Sequence, residues 1–421
     1  MSWRQVPLCD LLAEPLSNGR SVQTRVGGYP VLRLNALTGR SVNLAETKPG
    51  AWTQSEAARW QVAPGDFLIS RGNGSLALLG RGALVPDSTN PLPAFPDTMV
   101  RIRPNPDKLI PRFLSFAWES PSVRHQIESA ARTTAGIFKI NQGHVSLIRL
   151  PIPELAEQRR IVEIIEDHFS CLDAGERSIA AGLEKVEAMV AVALAAAGTG
   201  PMTPLIQTAD IQGGIQKTPA RAPREHPRPF LRVANVTAEG LDLDEIHYVE
   251  ASDDEVARLS LRAGDLLVVE GNGSPSQIGR AAVWDGSIEG CLHQNHLIRV
   301  RPREGLLPEY LEIVWNSPIA RRRLSQVASS SSGLHTLSVR KLSQLSFPVP
   351  SVADQSAVVS YIQELRQQSR RLTNELLRAR TRSTSLRRSI LAAAFSGRLT
   401  GSASDADRIE ELASAAPPRA D

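Results

Sequence analysis

The sequence predicts an α+β protein in which two tandem mixed α/β globular domains are joined by two long antiparallel coiled-coil helices. Two observations carry this prediction. Two long stretches lack proline inside and have apolar residues at heptad spacing. Many features also recur at a nearly constant offset along the chain. The recurrence indicates an internal duplication, and hence a pseudo-two-fold repeat.

The first helix is predicted over residues 151–197. Pro151 and Pro153 end the preceding segment, and no further proline occurs until Pro201. Alternating steps of four and three residues from Ile161 give eleven positions, of which eight are apolar. They are residues 161, 165, 168, 172, 175, 179, 182, 186, 189, 193 and 196. A helix of this length would extend roughly 66 Å, so its apolar seam needs a partner.

The second helix, predicted over residues 351–397, supplies that partner. Adding 197 to each seam position of the first helix gives nine apolar residues among eleven. Residues 154–197 carry nine acidic and four basic side chains, whereas residues 351–396 carry three acidic and eight basic ones. Opposite charges favour pairing of the two unlike helices. The alternative is two amphipathic helices that pack separately on the globular domains.

The globular domain of each copy, here called a head, is predicted at residues 1–150 and 204–350. Residues 65–69 (GDFLI) match 264–268 (GDLLV), and residues 72–75 and 271–274 both read GNGS. Gly80-Arg81 matches Gly279-Arg280, and RIRP at 101–104 matches RVRP at 299–302. Residues 198–203 are a linker, and the Ala/Ser/Asp-rich residues 398–421 are predicted to be a disordered tail.

Short β-rich runs and one helix are predicted in each head. The predicted strands are 29–34, 66–70 and 99–103, then 230–234, 265–270 and 296–301. The predicted helices are 111–130 and 308–327. Because a compact head is much shorter than either long helix, the second helix should start beside the end of the first and run back along it. This connectivity predicts one head at each end of the helix pair.

Composition sets further limits. The 421 residues suggest two to three domains, and the net charge of +4 permits nucleic-acid binding. Cys9, Cys171 and Cys291 show no metal-ligand spacing, so we expect free thiols, no metal site and a cytoplasmic location. No signal peptide or membrane span is expected.

Several segments resemble the specificity subunits of type I restriction–modification systems. They are PIPELAEQRRIV (151–162) with PVPSVADQSAVV (348–359), the ending SILAAAFSGRLTG (389–401), and the paired PGDFLISRGNGS and AGDLLVVEGNGS segments. One departure is Glu154 in the first segment where the second has Ser351. The resemblance extends over about residues 3–401.

The resemblance implies that the heads are target recognition domains, each reading one half of a split sequence in double-stranded DNA. It implies that the coiled coil spaces them and docks type I methyltransferase subunits, expected to be two, with restriction subunits added. The chain itself would be non-catalytic and bind no cofactor, because S-adenosylmethionine, ATP and Mg²⁺ would belong to the partner subunits. The assembly would methylate adenine at N6 and cleave unmodified DNA.

Candidate DNA-binding residues are polar or basic side chains near the repeated motifs, where bases or phosphates could accept or donate hydrogen bonds. Those at the GNGS segments are Arg71, Asn73, Ser75, Arg81, Asn272, Ser274, Gln277 and Arg280. The others are Arg33, Asn35, Lys217, Arg232, Asn235, His293, Gln294 and Asn295. The alternative for GNGS is an ordinary hairpin turn, since Asn-Gly favours that geometry. Lys217 begins a basic, Pro-rich stretch whose alternative is a mobile loop.

Arg378, Arg380 and Arg382 are predicted to dock the methyltransferase from the outer surface of the second helix. No phosphate-binding loop, nucleophile elbow or HExxH segment occurs in the sequence. Two other functions remain open at this stage: a stand-alone DNA endonuclease with a cryptic site, and a coiled-coil scaffold that binds no DNA.

Overall fold

The structure is a computed structural model that describes residues 3–37, 39–88, 91–134, 136–237, 240–271, 278–328 and 336–399. The chain divides into two compact units. The first unit contains residues 1–179 and 378–421, and the second contains residues 180–377. Each unit therefore contains one head and a part of each long helix. Of the predicted tail, residues 400–421 lie outside the described residues.

The first head and the long helix that follows it contain eleven strands and five α-helices among the described residues. The strands are β1 (Arg4–Pro7), β2 (Ser17–Asn18), β3 (Thr24–Leu32), β4 (Thr47–Gly50), β5 (Phe67–Ser70), β6 (Gly72–Asn73), β7 (Gly82–Leu84), β8 (Met99–Ile102), β9 (Arg132–Thr134), β10 (Ile137–Lys139) and β11 (Arg149–Ile152). The helices are α1 (Gln54–Ala57), α2 (Pro111–Trp118), α3 (Pro121–Ala130), α4 (Gln142–Ser146) and the long α5 (Leu155–Ala196).

The second head repeats this order. Its strands are β12 (Met202–Pro204), β13 (Ala209–Gly213), β14 (Pro227–Leu231), β15 (His247–Glu250), β16 (Leu266–Val269), β17 (Ala281–Val283), β18 (Leu292–His293), β19 (Leu297–Pro302) and β20 (Ser346–Pro348). Its helices are α6 (Leu205–Thr208), α7 (Asp253–Leu259), α8 (Pro308–Trp315), α9 (Pro318–Ala328), α10 (Val339–Ser343) and the long α11 (Val352–Phe395).

Equivalent sheets form in both heads. An antiparallel four-stranded sheet has the order β2-β8-β5-β7 in the first head and β13-β19-β16-β17 in the second. The first strand of each head pairs with the last, as β1-β11 and β12-β20. The hairpin β3-β4 corresponds to β14-β15. The common topology confirms that the sequence repeat is a structural duplication.

The helices predicted at 111–130 and 308–327 are each two helices, so this part of the prediction is wrong. The break lies at residues 119–120 in the first head, directly before Pro121, which is the first residue of α3. The Ser120 hydroxyl accepts a hydrogen bond from the Val123 N–H and caps the new helix. Proline fits this position because the first turn of a helix needs no N–H donor there.

The two long helices pack antiparallel within each unit, as predicted. In the first unit, Arg387 forms an ion pair with Asp173, and the Ser383 hydroxyl donates to Glu176 Oε1 at 3.2 Å. In the second unit, a Cβ at Gly182 would lie 3.3 Å from Leu376. As the residue number increases along α5, the number of the contacting residue on α11 decreases, so the two helices are antiparallel. The ion pair between Arg387 and Asp173 also shows that the basic second helix contacts the acidic first helix.

The predicted seam holds only in part. Ile161, Ile165, Val186, Ile362 and Ile390 are buried. Four seam positions are exposed instead: residues 175, 189, 196 and 372. A straight α-helix has 3.6 residues per turn, so a strict seven-residue repeat drifts about 20° per heptad and leaves the contact face. Val190 and Thr373, the next residues along the two helices, are less exposed than Met189 and Leu372.

Candidate nucleic-acid interface

The repeated Gly-Asp and Arg-x-Arg-Pro motifs meet as an ion pair in each head. The Asp66 carboxylate accepts two hydrogen bonds from Arg103, at 2.7 and 2.8 Å, and Asp265 accepts two from Arg301, at 2.6 and 2.7 Å. Both aspartates are 1% exposed. Hydrogen bonding to Asp265 raises the pKa of Arg301. These motifs therefore hold the four-stranded sheet together rather than contact a ligand.

The repeated Gly-Arg and Trp motifs are also structural. Gly80 and Gly279 have φ angles of 66° and 69°, which favour glycine. Their carbonyl oxygens accept hydrogen bonds from the indole N–H of Trp118 and Trp315, at 2.8 and 2.9 Å. Each glycine thus fixes the loop after the GNGS segment against the helix that follows the sheet.

A buried glutamine joins each head to its long helix, and sequence reasoning missed it. Gln158 accepts a hydrogen bond from the Ile110 N–H at 2.9 Å and donates to the carbonyls of Lys108 and Pro153. Gln355 makes the equivalent three bonds in the second unit. Both side chains are fully buried. The available signal was the glutamine shared by the two proline-rich segments at an offset of 197.

The GNGS segment of the first head is not a hairpin tip. Gly72 and Asn73 form β6, which pairs with β10. The Asn73 side chain accepts a hydrogen bond from the Ser75 N–H at 3.0 Å, and neither Gly72 nor Gly74 has a positive φ. Ser75 is exposed, whereas Arg71 and Asn73 are half-buried. The β9-β10 hairpin places the exposed cations Arg132 and Lys139 beside this segment.

The corresponding segment of the second head is only partly described. Asn272, Ser274 and Gln277 lie outside the described residues. Gly271 forms a β-bridge with Thr336, as Gly72 pairs with Lys139 in the first head. Arg280 is half-buried, and its Nη2 donates to the Val233 carbonyl at 3.4 Å. Burial lowers the pKa of Arg280. Its counterpart Arg81 is exposed.

The matching Arg and Asn positions differ between the heads. Arg33 and Asn35 are exposed, and Asn35 donates to Glu46 Oε2 at 2.8 Å. Asn235 is only 3% exposed, accepts from the Arg232 N–H and donates to two backbone carbonyls. Arg232 pairs with Glu245 at 3.2 Å. Asn235 therefore fixes its own loop, because its amide faces the protein interior.

The structure places His293 in the core rather than on the surface. The Gly214 backbone contacts the His293 carbonyl as Gly19 contacts the Phe95 carbonyl, so His293 occupies the position of Phe95. His293 is fully buried, and neither ring nitrogen makes a hydrogen bond of normal geometry with a described residue, although weak hydrogen bonding to the Gln212 and Leu259 backbone partly opposes the lowering of its pKa. Burial, followed by the nearby Arg299 charge, lowers its pKa to about 4. The neighbouring residues Gln294 and Asn295 remain half-buried at the surface.

Replacing His293 with phenylalanine is expected to stabilise the second head by about 1–2 kcal/mol at pH 7.5, because two unpaired buried nitrogens disappear. Arg101 already lies 5.6 Å from the Phe95 ring centroid in the first head, so Arg299 should accept a ring. The lowered pKa means that the native protein loses stability as pH falls from about 6.5 to 4, by up to about 3 kcal/mol.

The His293→Phe variant should lack that acid-dependent loss. Urea unfolding monitored at pH 7.5 and at pH 5 measures both effects, with exposed His226→Phe as the control. A variant that is less stable than the parent at both pH values would show that the ring nitrogens are not the destabilising groups.

A basic and aromatic face lies on the hairpin side of the first head. Trp52 and Trp60 stack with ring centroids 5.1 Å apart. The guanidinium groups of Arg20 and Arg59 lie 5.4 and 5.8 Å from the Trp60 ring centroid. Arg20, Arg59 and Arg25 are exposed, and Arg25 lies in the irregular part of β3. Stacked aromatic rings next to arginines suit contact with a nucleic acid.

The second head carries other cations and a different aromatic ring around the equivalent hairpin. A groove of about 700 Å³ is lined by Lys217, Tyr248 and residues around them. Tyr248 is 54% exposed, and Lys217 and Arg224 are exposed without an ion pair among the described residues. The other two arginines of the basic stretch pair with carboxylates: Arg221 with Glu255 and Arg228 with Asp253. Part of the predicted basic stretch is thus neutralised within the head.

Comparison with known proteins shows what the chain is similar to. Residues 8–185 match the family described as type I restriction modification DNA specificity domain. The specificity subunit of type I restriction enzyme EcoKI from Escherichia coli K12 is 27% identical over 365 residues, which cover 81% of this chain and 76% of that protein. The StySPI specificity subunit from Salmonella potsdam is 26% identical with the same two coverages. The chain is thus similar to type I restriction–modification specificity subunits over most of its length.

Two solved structures have the same fold as this chain. The HsdS subunit of Thermoanaerobacter tengcongensis gives a TM-score of 0.60 at 21% identity, covering 94% of this chain and 97% of that one. A chain from a study of the assembly and conformational transition of the type I R-M system gives 0.74 at 19% identity, with coverages of 94% and 98%. Both comparisons extend over nearly the whole chain, so they support the duplicated architecture.

The predicted docking arginines lie on α11. Arg378, Arg380 and Arg382 are all exposed. Among the described residues, no group of three or more His, Cys, Asp or Glu is arranged to hold a metal ion. Likewise, no described helix is long and apolar enough to span a membrane.

Proposed function

We propose that this chain is the DNA-recognition (specificity) subunit of a type I restriction–modification complex, in which each head reads one half of a split double-stranded target. One observation carries the proposal. The two heads share a frame of identical buried contacts, yet their equivalent hairpins present different cations and aromatic rings. Two domains that bind different DNA sequences need this arrangement, in which the buried framework is the same and the surface residues differ.

In this proposal the chain carries no catalytic centre. Methyltransferase subunits, two in number, dock on the helix pair and bring S-adenosylmethionine for N6-adenine methylation. Restriction subunits add ATP- and Mg²⁺-dependent cleavage of unmodified DNA. The first head contacts DNA with Arg20, Arg25 and Arg59 beside the tryptophan stack and with the β9-β10 hairpin. The second head uses Lys217, Arg224 and Tyr248.

Exchange of one head tests the proposal. Replacing residues 204–350 with the corresponding head of another specificity subunit should change one half of the methylated sequence and leave the other half unchanged. Base-resolution methylation mapping in cells that express the cognate methyltransferase gives the answer. The matched control exchanges residues 1–150 and should change the opposite half. A change in both halves after a single exchange would contradict two independent readers.

Charge reversal on α11 tests methyltransferase docking. Changing Arg378, Arg380 and Arg382 to Glu should weaken assembly with the methyltransferase at least tenfold, because three exposed carboxylates would repel an acidic partner surface that the arginines attract. Sizing chromatography and titration of the purified subunits measure the effect. The control makes the same charge change on the second head, at Lys217, Arg224 and Arg322, and should leave assembly intact. Equal loss in both variants would exclude a specific role of α11.

A further inference from the structure

The ends of the two long helices have matching sequences but different packing. Residues 194–202 read LAAAGTGPM and residues 391–399 read LAAAFSGRL, at the same offset of 197 that relates the helices. Phe395 therefore occupies the position of Gly198, and Leu399 that of Met202. Phe395 and Leu399 are 9% and 1% exposed, whereas Met202 is 51% exposed in β12. The duplication breaks down at these two side chains.

In the first unit, Phe395 fills a site in the core of the head. Its ring packs edge-on against Phe113 with centroids 5.3 Å apart. The same core cluster contains Val123, Ile127 and Leu150, which are fully buried. Phe395 thus joins the helix end to α2 within this core cluster, and the site accommodates one phenyl ring.

In the second unit, the equivalent site is a cavity of about 140 Å³. Gly198 and Met202 line it together with Ala320, Leu324 and Phe347, the counterparts of Val123, Ile127 and Leu150. A Cβ at Gly198 would lie 3.4 Å from the Pro348 ring, and the φ of Gly198 is not in the left-handed region. A side chain could therefore enter the cavity from this position, but glycine supplies none.

We propose that this cavity is a docking site for one aromatic side chain presented by a polypeptide other than this chain. The volume of the cavity suits an aromatic side chain, because an apolar cavity of about 150 Å³ holds a benzene ring. Phe395 shows that the equivalent shell accepts phenylalanine. A second copy of the chain would not present its Phe395, which is buried in its first unit. Exposed Arg323 also lines the cavity, so the incoming segment carries an acidic residue near the aromatic one.

A peptide in solution tests the site on the full chain. The probe is LAAAFSGEL, which is the chain's own ending with its arginine changed to glutamate to face Arg323, and the control peptide has alanine for phenylalanine. The probe should bind saturably and the control at least tenfold more weakly, because burial of a phenyl ring supplies that difference. Fluorescence anisotropy of labelled peptides measures both. Equal affinities of the two peptides would overturn the proposal.

Filling the cavity from within provides the second test. Gly198→Phe should place a ring where Phe395 lies in the first unit, raise the melting temperature and abolish probe binding. Gly198→Leu should have the same effects more weakly and replaces the first variant if that variant does not fold. Benzene should raise the melting temperature of the parent protein but not of the filled variant. Undiminished probe binding by a folded, filled variant would show that the peptide binds elsewhere.

Discussion

Replacing Asp265 with alanine is expected to lower the free energy of unfolding of the second head by roughly 3–5 kcal/mol. Asp265 is 1% exposed, and its carboxylate accepts two hydrogen bonds from Arg301 and one from the Arg262 N–H at 2.7 Å. Without the carboxylate, a guanidinium that is only 22% exposed and a backbone donor lose their partner. Chemical denaturation, with hydrogen exchange in β16 and β19 as a local probe, measures the loss.

The matched control is Asp210→Ala on the same sheet. Asp210 pairs with Arg303 at 2.5 Å, but both side chains are about half exposed, and such pairs contribute roughly 0–1 kcal/mol. The Asp265 variant should therefore be much less stable than the control, and the first head should keep its protection from exchange. If both substitutions lowered the free energy of unfolding by the same amount, the buried ion pair would not be the interaction that stabilises the sheet.

Shortening both long helices by one heptad is expected to shorten the unread gap between the two half-sites. The deletion removes residues 179–185 of α5 together with the opposing residues 373–379 of α11, which are centred on the Gly182–Leu376 contact. A heptad contributes about 10.5 Å of helix, which equals roughly three base pairs of DNA. Removing whole heptads also preserves the apolar seam. Both half-site sequences should remain unchanged.

Methylation mapping with the shortened subunit gives the gap directly. A coil tilted to the DNA axis gives a smaller change than three base pairs, and DNA twist restricts which gaps bind well. Deletion from α5 alone is the control: it should bulge α11 and abolish most methylation. An active, doubly shortened subunit that retains the original gap would show that the helices do not set the spacing.

The regular features of this fold could be predicted from the sequence because each rests on local or repeated information. Apolar residues at heptad spacing predicted both long helices, and the constant offset predicted two copies of one head. The split of each head helix was missed, although the signal, Ser-Pro at 120–121 and 317–318, was present. Proline there begins a new helix, and the choice between continuing and restarting depends on how the following residues pack.

The candidate site was less predictable, because repetition marks structural residues as well as functional ones. The most regular motifs, Gly-Asp and Gly-Arg, proved to form the ion pair and the glycine–tryptophan contact that hold each sheet. The residues that differ between heads, such as Trp60 and Tyr248, form the exposed hairpin faces instead. These aromatic residues could not be identified from the sequence, because a single sequence does not show whether an aromatic side chain is partly exposed or lies in the core.

The sequence by itself determined the duplication, the pairing of an acidic with a basic helix, and the resemblance to type I specificity subunits. Only the tertiary structure decided which polar residues face inward. His293 and Asn235 read as surface groups along the chain, yet both are buried, since burial depends on contacts between distant residues such as Gly214 and His293. The same holds for Gly198 and Phe395: the sequence aligns them, but only packing shows a filled site in one unit and a cavity in the other.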